Sequence, residues 1–337
     1  MSKVLVTGGA GYIGSHTVVQ LLNAGFEVIV LDNLCNSSQR VIARIEEITD
    51  QTIQFVKGDV RDREALRKVF SRSEFESVIH FAGLKAVGES QDQPLKYFDN
   101  NVTGSVVLFE EMMAAGVCKL IFSSSATVYG DPGHVCYSET TPLRPINVYG
   151  RTKLMVEDIL RDIKSANPGW QIALLRYFNP VGANESGLIG ENPFGIPNNL
   201  MPFISQVAVG RREKLMIYGN DYATPDGTGL RDYIHVDDLA AGHLAALNAL
   251  NQKNSFITVN LGTGKPNSVL EMINAFEKAS GVNIPFEIVG RRPGDLPEYY
   301  ADASLAKQVL GWEAKLGIDR MCIDTWRWQK NNPEGYA

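Results

Sequence analysis

Short apolar segments rich in valine and isoleucine recur along the first half of the chain, with helical stretches between them. These segments are KVLVT, FEVIVLD, IQFVKGD, SVIHFAG, KLIFSSS and QIALLRYFN. Strands that alternate with helices are typical of βαβ units, and such units build a parallel sheet. The sequence therefore predicts an α/β fold with a doubly wound parallel sheet.

The alternation breaks after Pro180, where Gly, Asn and Pro cluster in GANESGLIGENPFGIPNNL. Such a stretch indicates a change of domain or a long substrate loop. Farther on, DDLAAGHLAALNALN predicts an amphipathic helix and FITVNLG a buried strand that returns to the sheet. We therefore expect residues 1–180 to form the larger domain, with 232–263 returning to it. Residues 181–231 and 264–337 then form a smaller, discontinuous α/β domain that binds the substrate.

Composition limits the classes of partner. The 337 residues are 44% hydrophobic and 21% charged, with a net charge of -6. This acidic balance does not favour a nucleic acid, and no apolar run approaches the length of a membrane span. The first residues enter an apolar strand directly, so we expect a cytoplasmic protein. The cysteines lack a CxxC pair or a metal-ligand spacing, which predicts reduced packing residues and no metal site: Cys35, Cys118, Cys136 and Cys322.

The segment TGGAGYIGSH follows the first strand and opens a helical pattern, with Gly8, Gly11 and Gly14 three residues apart. Glycines in this context let backbone N–H groups approach a pyrophosphate at the start of a helix. Asp32 ends the second strand, where a carboxylate binds adenosine ribose hydroxyls and favours NAD over its phosphorylated form. A glycine-rich turn without a ligand is the alternative. The later GTGKPNS lacks the phosphate-loop spacing, and we interpret it as a turn.

Tyr149 and Lys153 are four residues apart in VYGRTKLMVE and project from one face of a predicted helix. A surface pair is the ordinary meaning of such a spacing. A free tyrosine has a pKa of about 10, and an ammonium about 4 Å away favours the phenolate by about 4 kcal/mol, or about three pKa units. The pair then acts as a general base that removes a hydroxyl proton while hydride leaves the same carbon for NAD.

Three serines end the strand in KLIFSSSATVYG, at the carboxyl edge of the sheet where ligands bind. A serine there can donate a hydrogen bond to the reacting oxygen. For any one of the three, a hydrogen bond to the local backbone is an equally good explanation.

Taken together, TGGAGYIG, SSSATVYG and YGRTK resemble the extended short-chain dehydrogenase/reductase superfamily. The closer resemblance is to the UDP-galactose 4-epimerase family, and it extends over nearly the whole chain. It rests on DNLCNS, GDVRD, HFAGLKAVGES, NNVTGS, LRYFNPVGA, GIPNNLMP, GTGLRDYIHVDDLA and RRPGDLPEYYAD. The resemblance implies a Rossmann-type fold, bound NAD and a homodimer. It also implies interconversion of UDP-galactose and UDP-glucose in galactose metabolism.

The resemblance also assigns roles to individual residues. Tyr149 is the base, Lys153 its partner and Ser125 the hydroxyl that supports proton transfer. Around the cofactor it places Gly8, Gly11, Tyr12, Ile13, Gly14, Asp32, Asn33, Asn36, Ser37, Asp59, Val60, Phe81, Ala82, Lys85, Asn100, Ser125, Tyr149, Lys153 and Phe178. Around the UDP-sugar it places Lys85, Ser125, Tyr149, Asn179, Asn199, Leu200, Met216, Tyr218, Arg231, Arg292, Asp295 and Tyr299.

Arg231 and Arg292 suit a diphosphate, although isolated arginines more often form surface salt bridges. Tyr299 corresponds to the family position beside the sugar C2 substituent, where a bulky ring selects hexoses over N-acetylhexosamines. Its neighbour Tyr300 is the better candidate for a core aromatic residue, because adjacent residues of an extended segment point oppositely.

Two other functions remain open from the sequence. A nucleotide-sugar 4,6-dehydratase of the same superfamily carries an Asp-Glu pair after the serine or threonine, where this chain has Ala126 and Thr127. A non-catalytic NAD-sensing protein on the same fold is the second alternative. Such a protein is expected to have lost the tyrosine or the lysine.

Overall fold

The computed structural model describes residues 2–133, 135–250, 255–292 and 294–336. The strands are β1 (Lys3–Thr7), β2 (Glu27–Asp32), β3 (Gln54–Lys57), β4 (Ser77–His80), β5 (Lys119–Ser125), β6 (Cys136–Tyr137), β7 (Gln171–Tyr177), β8 (Asn179–Val181), β9 (Leu215–Tyr218), β10 (Leu230–His235), β11 (Phe256–Leu261), β12 (Pro266–Ser268), β13 (Phe286–Val289) and β14 (Glu298–Ala301).

The α-helices are α1 (Tyr12–Asn23), α2 (Arg40–Thr49), α3 (Arg63–Arg72), α4 (Val87–Asp92), α5 (Pro94–Tyr97), α6 (Gly104–Ala114), α7 (Val148–Ala166), α8 (Leu200–Ala208), α9 (Val236–Ala249), α10 (Val269–Ser280), α11 (Ser304–Leu310) and α12 (Ile318–Asn331). A π-helical turn, Phe98–Thr103, precedes α6, and a 3₁₀ turn, Ala126–Val128, follows β5.

The predicted parallel sheet is confirmed. Its seven strands lie in the order β11-β7-β5-β4-β1-β2-β3, and every neighbouring pair is parallel. Each strand comes from one of the Val- and Ile-rich segments of the sequence, including FITVNLG, which forms β11 beside β7. The helix predicted in DDLAAGHLAALNALN is α9.

Alternating side chains along the strands build a core on each face of this sheet. In β1, Val4 and Val6 pack with residues of α1, α2 and α9, whereas Leu5 packs on the opposite face with residues of α3, α6 and α7. This follows from the two-residue period of a strand. Helices therefore cover both faces, as a doubly wound sheet requires.

The rest of the chain forms a smaller α/β region. Strands β12, β10, β14 and β6 form one sheet, β8 pairs with β10, and β9 pairs with β13. Helices α8, α10 and α12 pack over a separate core that includes Ile204, Phe276 and Met321. Helix α10 begins at a capping box formed by Ser268 and Glu271, which satisfies backbone N–H groups at its start.

Two sequence predictions need correction. The segment GTGKPNS turns only in its first half, because Pro266–Ser268 forms β12 against β10. The amides of Thr263 and Gly264 donate to the carboxylate of Asp232, which therefore takes the place that a phosphate would need.

Of the cysteines, only Cys322 is buried, and the exposed Cys35 and Cys136 are not packing residues; all four are free thiols. Within the described residues, no helix is both long and apolar enough to span a membrane.

Candidate active site

The strand order creates a crevice at the carboxyl ends of β1 and β4. The chain winds from β1 to β2 and β3 on one side, and from β4 to β5, β7 and β11 on the other. Open α/β sheets bind ligands at such a reversal of strand order. A groove lies there, bordered by the loop after β1, the end of β2, the segment after β4 and the start of α7.

The loop after β1 has no room for a side chain at Gly8, and the helix after it has none at Gly14. Gly8 has a φ of +71°, and a Cβ atom on it would lie 2.7 Å from the backbone nitrogen of Ala82. A Cβ atom on Gly14 would lie 2.3 Å from the Gly8 carbonyl oxygen, so α1 packs directly on the loop. Gly11 caps α1, whose first turn carries no acidic residue. The positive end of α1 therefore faces the groove unopposed, which fits a pyrophosphate.

Asp32 lies at the end of β2 and has an exposed fraction of only 8%. Its Oδ1 accepts hydrogen bonds from Leu34 N at 2.8 Å and Ser37 Oγ at 2.9 Å, and its Oδ2 accepts from Ala10 N at 3.1 Å. These bonds fix the carboxylate at the rim of the groove. Its position fits the ribose hydroxyls of an adenosine.

Most residues that the sequence assigned to the cofactor line one groove. They are Gly8, Gly11, Tyr12, Ile13, Gly14, Asp32, Asn33, Asn36, Ser37, Val60, Phe81, Ala82, Lys85, Asn100, Tyr149 and Lys153. Asp59, Ser125 and Phe178 are not among the residues that border it. The Asp59 carboxylate instead binds the Arg61 guanidinium and the Asn33 amide, and the bonds from Arg61 hold the pKa of Asp59 well below its usual range.

Tyr149 and Ser125 meet where β5 ends and α7 begins. Asn147 caps α7 by accepting a hydrogen bond from Gly150 N at 2.7 Å, and a Cβ atom on Gly150 would lie 2.7 Å from the Thr127 carbonyl oxygen. This close packing brings the Tyr149 phenol beside the Ser125 hydroxyl, which acts to lower the pKa of the phenol. The structure therefore joins a phenol and a hydroxyl 24 residues apart in the sequence at one point.

The predicted effect of Lys153 on Tyr149 is wrong for this structure. Lys153 Nζ donates to the Ser123 carbonyl oxygen at 2.7 Å and lies 5.9 Å from the centroid of the Tyr149 ring. Desolvation raises the pKa of Tyr149 to about 12, and the Ser125 hydroxyl opposes this rise only in part. Burial lowers the pKa of Lys153 to about 8. Desolvation causes both pKa shifts, and the spacing of two residues on a helix does not reveal how far they are removed from water.

The three serines at the end of β5 have different partners. The Ser123 hydroxyl acts to lower the pKa of Tyr177, and the Ser124 hydroxyl donates to the buried Glu157 carboxylate at 2.6 Å. Ser125 accepts hydrogen bonds from the backbone and side chain of Thr127 as well as contacting Tyr149. Of the three, Ser125 is therefore the serine placed beside the phenol.

Tyr299 forms the centre of a second group of predicted site residues. Its ring stacks on Tyr137 with centroids 5.9 Å apart, and the Arg231 guanidinium lies 4.8 Å from its centroid. Its hydroxyl donates to Asn179 Oδ1 at 3.3 Å. Tyr299, not Tyr300, packs on the aromatic cluster around Tyr137, so the prediction that Tyr300 is the core residue is wrong.

Arg292 joins a third group. Its Nε and Nη2 atoms donate to the two carboxylate oxygens of Asp295 at 3.0 and 3.1 Å, and its guanidinium lies 4.9 Å from the Tyr218 centroid. Met216 and Tyr218 lie on the exposed positions of β9. Asn199 caps α8, which begins at Leu200, and its amide donates to Glu191 Oε1 at 3.0 Å.

The sequence did not reveal every residue that borders the groove. Ser123, Tyr177, Glu191, Phe194 and Tyr336 also line it. Tyr177 ends β7, so its place at the carboxyl edge of the sheet was a usable signal. Glu191 and Tyr336 come from distant loops, and no local pattern marks them. Among the described residues, no group of three His, Cys, Asp or Glu side chains is arranged to hold a metal ion.

A doubly wound sheet with a glycine-rich first loop and a Ser, Tyr and Lys site at its carboxyl edge defines an extended short-chain dehydrogenase/reductase. The family model described as GDP-mannose 4,6 dehydratase matches residues 5–325. The chain is 58% identical over 337 residues to the UDP-glucose 4-epimerase of Neisseria meningitidis serogroup C, covering 100% of this chain and 99% of that protein. It is 57% identical over 333 residues to the one of Bacillus subtilis strain 168, covering 99% and 98%.

A solved structure agrees with these relatives. The UDP-glucose 4-epimerase of Bifidobacterium longum, in complex with NAD+ and UDP, superimposes with a TM-score of 0.96 at 52% identity. The alignment covers 99% of this chain and 100% of that one. The chain belongs to the UDP-glucose 4-epimerase family.

Proposed function

We propose that this protein is an NAD-dependent isomerase that interconverts UDP-galactose and UDP-glucose. The reaction is a transient oxidation at sugar C4, rotation of the 4-keto sugar and return of hydride to its other face. The observation that carries the proposal is the placement of the Ser125 hydroxyl beside the Tyr149 phenol at the edge of a groove whose glycine loop fits a dinucleotide. Bound NAD supplies the hydride acceptor and donor, so the cofactor is unchanged after each turnover.

In this mechanism Tyr149 removes the proton of the 4-hydroxyl group and later returns one. Ser125 donates a hydrogen bond to the reacting oxygen and passes the proton between the sugar and the phenol. Because the Tyr149 pKa is about 12 in this structure, the phenol needs nearby positive charge to act as a base at neutral pH. The positively charged nicotinamide ring of bound NAD would supply that charge, and Lys153, whose pKa of about 8 leaves it mostly charged at pH 7, would hold the nicotinamide ribose.

We propose that the remaining residues hold the two ligands. The glycine loop and α1 bind the dinucleotide pyrophosphate, and Asp32 binds the adenosine ribose. Arg231 and Arg292 bind the diphosphate of the UDP-sugar, since a guanidinium forms strong paired hydrogen bonds with phosphate oxygens. The other substrate contacts are those of Lys85, Asn179, Asn199, Leu200, Met216, Tyr218, Asp295 and Tyr299.

The site favours an epimerase over a 4,6-dehydratase. Elimination at the sugar needs a further acid and base, and Ala126 and Thr127 cannot move protons in this way. Ala126 is buried, and the Thr127 hydroxyl donates to Ser125 at 3.0 Å. A non-catalytic NAD-sensing protein is disfavoured because Tyr149, Lys153 and Ser125 are all present in contact with the groove or with one another.

We also propose the assembly and location. Residues 1–180 and 232–263 form most of the NAD-binding unit, and 181–231 and 264–337 form most of the UDP-sugar-binding unit, although β6 and most of β10 join the smaller sheet from within the first two ranges. A homodimer that pairs the α7 surfaces is supported by Met155, which has an exposed fraction of 45%. Exposed free thiols at Cys35 and Cys136 support a reducing compartment, the cytoplasm. Analytical ultracentrifugation of the wild type and Met155→Glu tests the dimer.

The experiment that tests the reaction uses purified protein and UDP-galactose with no added cofactor. We expect NAD to copurify, and NMR of the sugar protons to show UDP-glucose forming until equilibrium. Tyr149→Phe is the control for contaminating activity. A 4-keto-6-deoxy product would indicate a dehydratase instead. NADH that accumulates in step with product would indicate an ordinary dehydrogenase, and retained NAD without any turnover would indicate a binding protein.

A further inference from the structure

Glu191 lies between the two groups of residues to which we assign the ligands. Its side chain has an exposed fraction of 10% and borders the groove. A single carboxylate oxygen, Oε1, accepts from Lys85 Nζ at 3.0 Å and from Asn199 Nδ2 at 3.0 Å. Lys85 borders the cofactor groove, and Asn199 caps α8 on the substrate side. One oxygen therefore holds a donor from each side.

Lys85 extends these contacts to the start of α1, directly after the glycine loop. Lys85 Nζ lies 5.9 Å from the ring centroid of Tyr12, which is the first residue of α1. The Tyr12 hydroxyl donates to the Gly182 carbonyl oxygen at 2.7 Å. The chain of contacts Asn199, Glu191, Lys85 and Tyr12 thus joins the N-termini of α8 and α1, the positive ends of two helices.

The backbone at Glu191 is fixed from the carboxyl-terminal part of the chain. The Tyr336 hydroxyl accepts a hydrogen bond from Gly190 N at 3.0 Å and donates one to Gly190 O at 3.1 Å. Trp328 Nε1 donates to the Glu191 carbonyl oxygen at 3.3 Å. Because this backbone is held, the side chain of Glu191 is the part that responds when Lys85 or Asn199 is displaced or ordered.

We propose that Glu191 is a positioning residue that couples retention of NAD to binding of the UDP-sugar. The inference rests on the proposed function: Lys85 borders the cofactor groove as well as belonging to the proposed substrate contacts, whereas Asn199 belongs to the substrate contacts alone. A ligand that orders one of these donors orders Glu191 and hence the other donor, so the second ligand loses less conformational entropy on binding. The coupling is positive, and linkage makes it reciprocal.

The test measures the release of NAD from the purified holoenzyme, with and without saturating UDP. Release is followed by mixing with excess labelled NAD and counting the label retained by the protein. In the wild type we expect UDP to slow release by about tenfold, within the ordinary range of coupling between two sites. In Glu191→Ala we expect the ratio of the two rates to fall to about one. Glu191→Gln, which keeps an acceptor for Asn199 but loses the charge beside Lys85, gives an intermediate ratio.

Glu185→Gln is the matched control, because Glu185 lies in the same loop but pairs with Arg320 and has a side-chain exposed fraction of 75%. We expect Glu185→Gln to keep the wild-type ratio of NAD release rates with and without UDP. A wild-type enzyme whose NAD release ignores UDP, or a Glu191→Ala variant with the wild-type ratio, overturns the proposal.

If Glu191→Ala retains too little NAD to measure, a double-mutant cycle with Glu191→Gln and Lys85→Met replaces it. If the coupling runs through the contact between Glu191 and Lys85, Glu191→Gln changes the ratio of NAD release rates much less in the Lys85→Met background. Additive effects of the two substitutions on this ratio refute the proposal. The ratio is measured with UDP, which does not react. Its outcome is therefore independent of whether UDP-galactose is epimerised.

Discussion

Arg176 and Glu157 form a two-armed ion pair inside the protein, with Nε–Oε1 and Nη2–Oε2 distances of 2.9 and 2.6 Å. Their side chains have exposed fractions of only 2% and 0%. Glu157 lies one turn after Lys153 on α7, and Arg176 lies on β7. The pair thus fixes α7, the helix that carries Tyr149, to the sheet beneath it.

Arg176→Met is expected to lower the free energy of unfolding by about 3 to 5 kcal/mol, because it leaves a buried carboxylate without its main partner. Urea denaturation at pH 7 measures the loss. Arg161→Met is the control: Arg161 binds the same carboxylate but is 36% exposed, and its loss is expected to cost about 1 kcal/mol or less. Arg176→Met combined with Glu157→Met recovers much of the stability. Equal losses for Arg176→Met and Arg161→Met would contradict this account.

Buried neutral histidines predict a loss of stability in acid. Burial lowers the pKa of His16 and His80 to about 3 and that of His243 to about 4, whereas an unfolded histidine titrates at about 6.5. Below pH 6.5 the unfolded chain binds more protons than the folded one, so stability falls as the pH falls towards the folded pKa values. At pH 5 each histidine lowers the free energy of unfolding by about 2 kcal/mol.

His80→Gln tests the contribution of one of these histidines. His80 is hydrogen-bonded to Thr7 at 2.7 Å and Ser105 at 2.9 Å, so the variant is expected to be less stable at every pH. Its further loss between pH 7 and pH 5 is nevertheless about 2 kcal/mol smaller than that of the wild type. Urea denaturation at both pH values measures this difference. Parallel pH profiles for the two proteins would show that folding does not lower the pKa of His80.

Tyr149→Phe is expected to reduce kcat for UDP-galactose by about 10²- to 10⁴-fold, because it removes a proton acceptor and keeps the ring. Binding of UDP and retention of NAD are expected to change little. NMR gives the rate, calorimetry gives the UDP affinity, and the absorbance of NAD released from denatured protein gives its occupancy. Wild-type turnover at neutral pH in this variant would refute the assignment of the base.

The sequence predicts the sheet and the central part of the site because both depend on local patterns. Each strand of the large sheet is a short Val- and Ile-rich segment, and Tyr149 and Lys153 are neighbours through the period of a helix. The glycine loop is likewise local, because its conformation depends on a few consecutive residues.

Other features depend on contacts between distant parts of the chain. The bond from Lys85 to Glu191 joins positions 106 residues apart, and the bond from Gly190 to Tyr336 joins positions 146 residues apart. No periodicity encodes such pairs. The Tyr149 pKa was mispredicted for a related reason: the helical spacing gives the neighbour of a group but not the extent of its desolvation.

The last prediction concerns which sugars the site accepts, and it rests on Tyr299. The ring is held between Tyr137 and the Arg231 guanidinium, and its hydroxyl is bonded to Asn179, so it does not swing aside at low cost. In the proposed site, where Tyr299 borders the sugar C2, an acetamido group there needs the volume that this ring occupies, and overpacking a formed pocket costs about 1 to 3 kcal/mol. We therefore expect kcat/KM for UDP-N-acetylglucosamine to be about ten- to a hundredfold below that for UDP-glucose. Tyr299→Cys is expected to reduce the difference in kcat/KM between the two sugars and to keep UDP-galactose activity. Tyr300→Cys, a change at the neighbouring tyrosine, is the control and is expected to leave this difference unchanged. Unchanged selectivity in Tyr299→Cys, or equal wild-type efficiency on both sugars, would show that Tyr299 does not control the size of the C2 substituent.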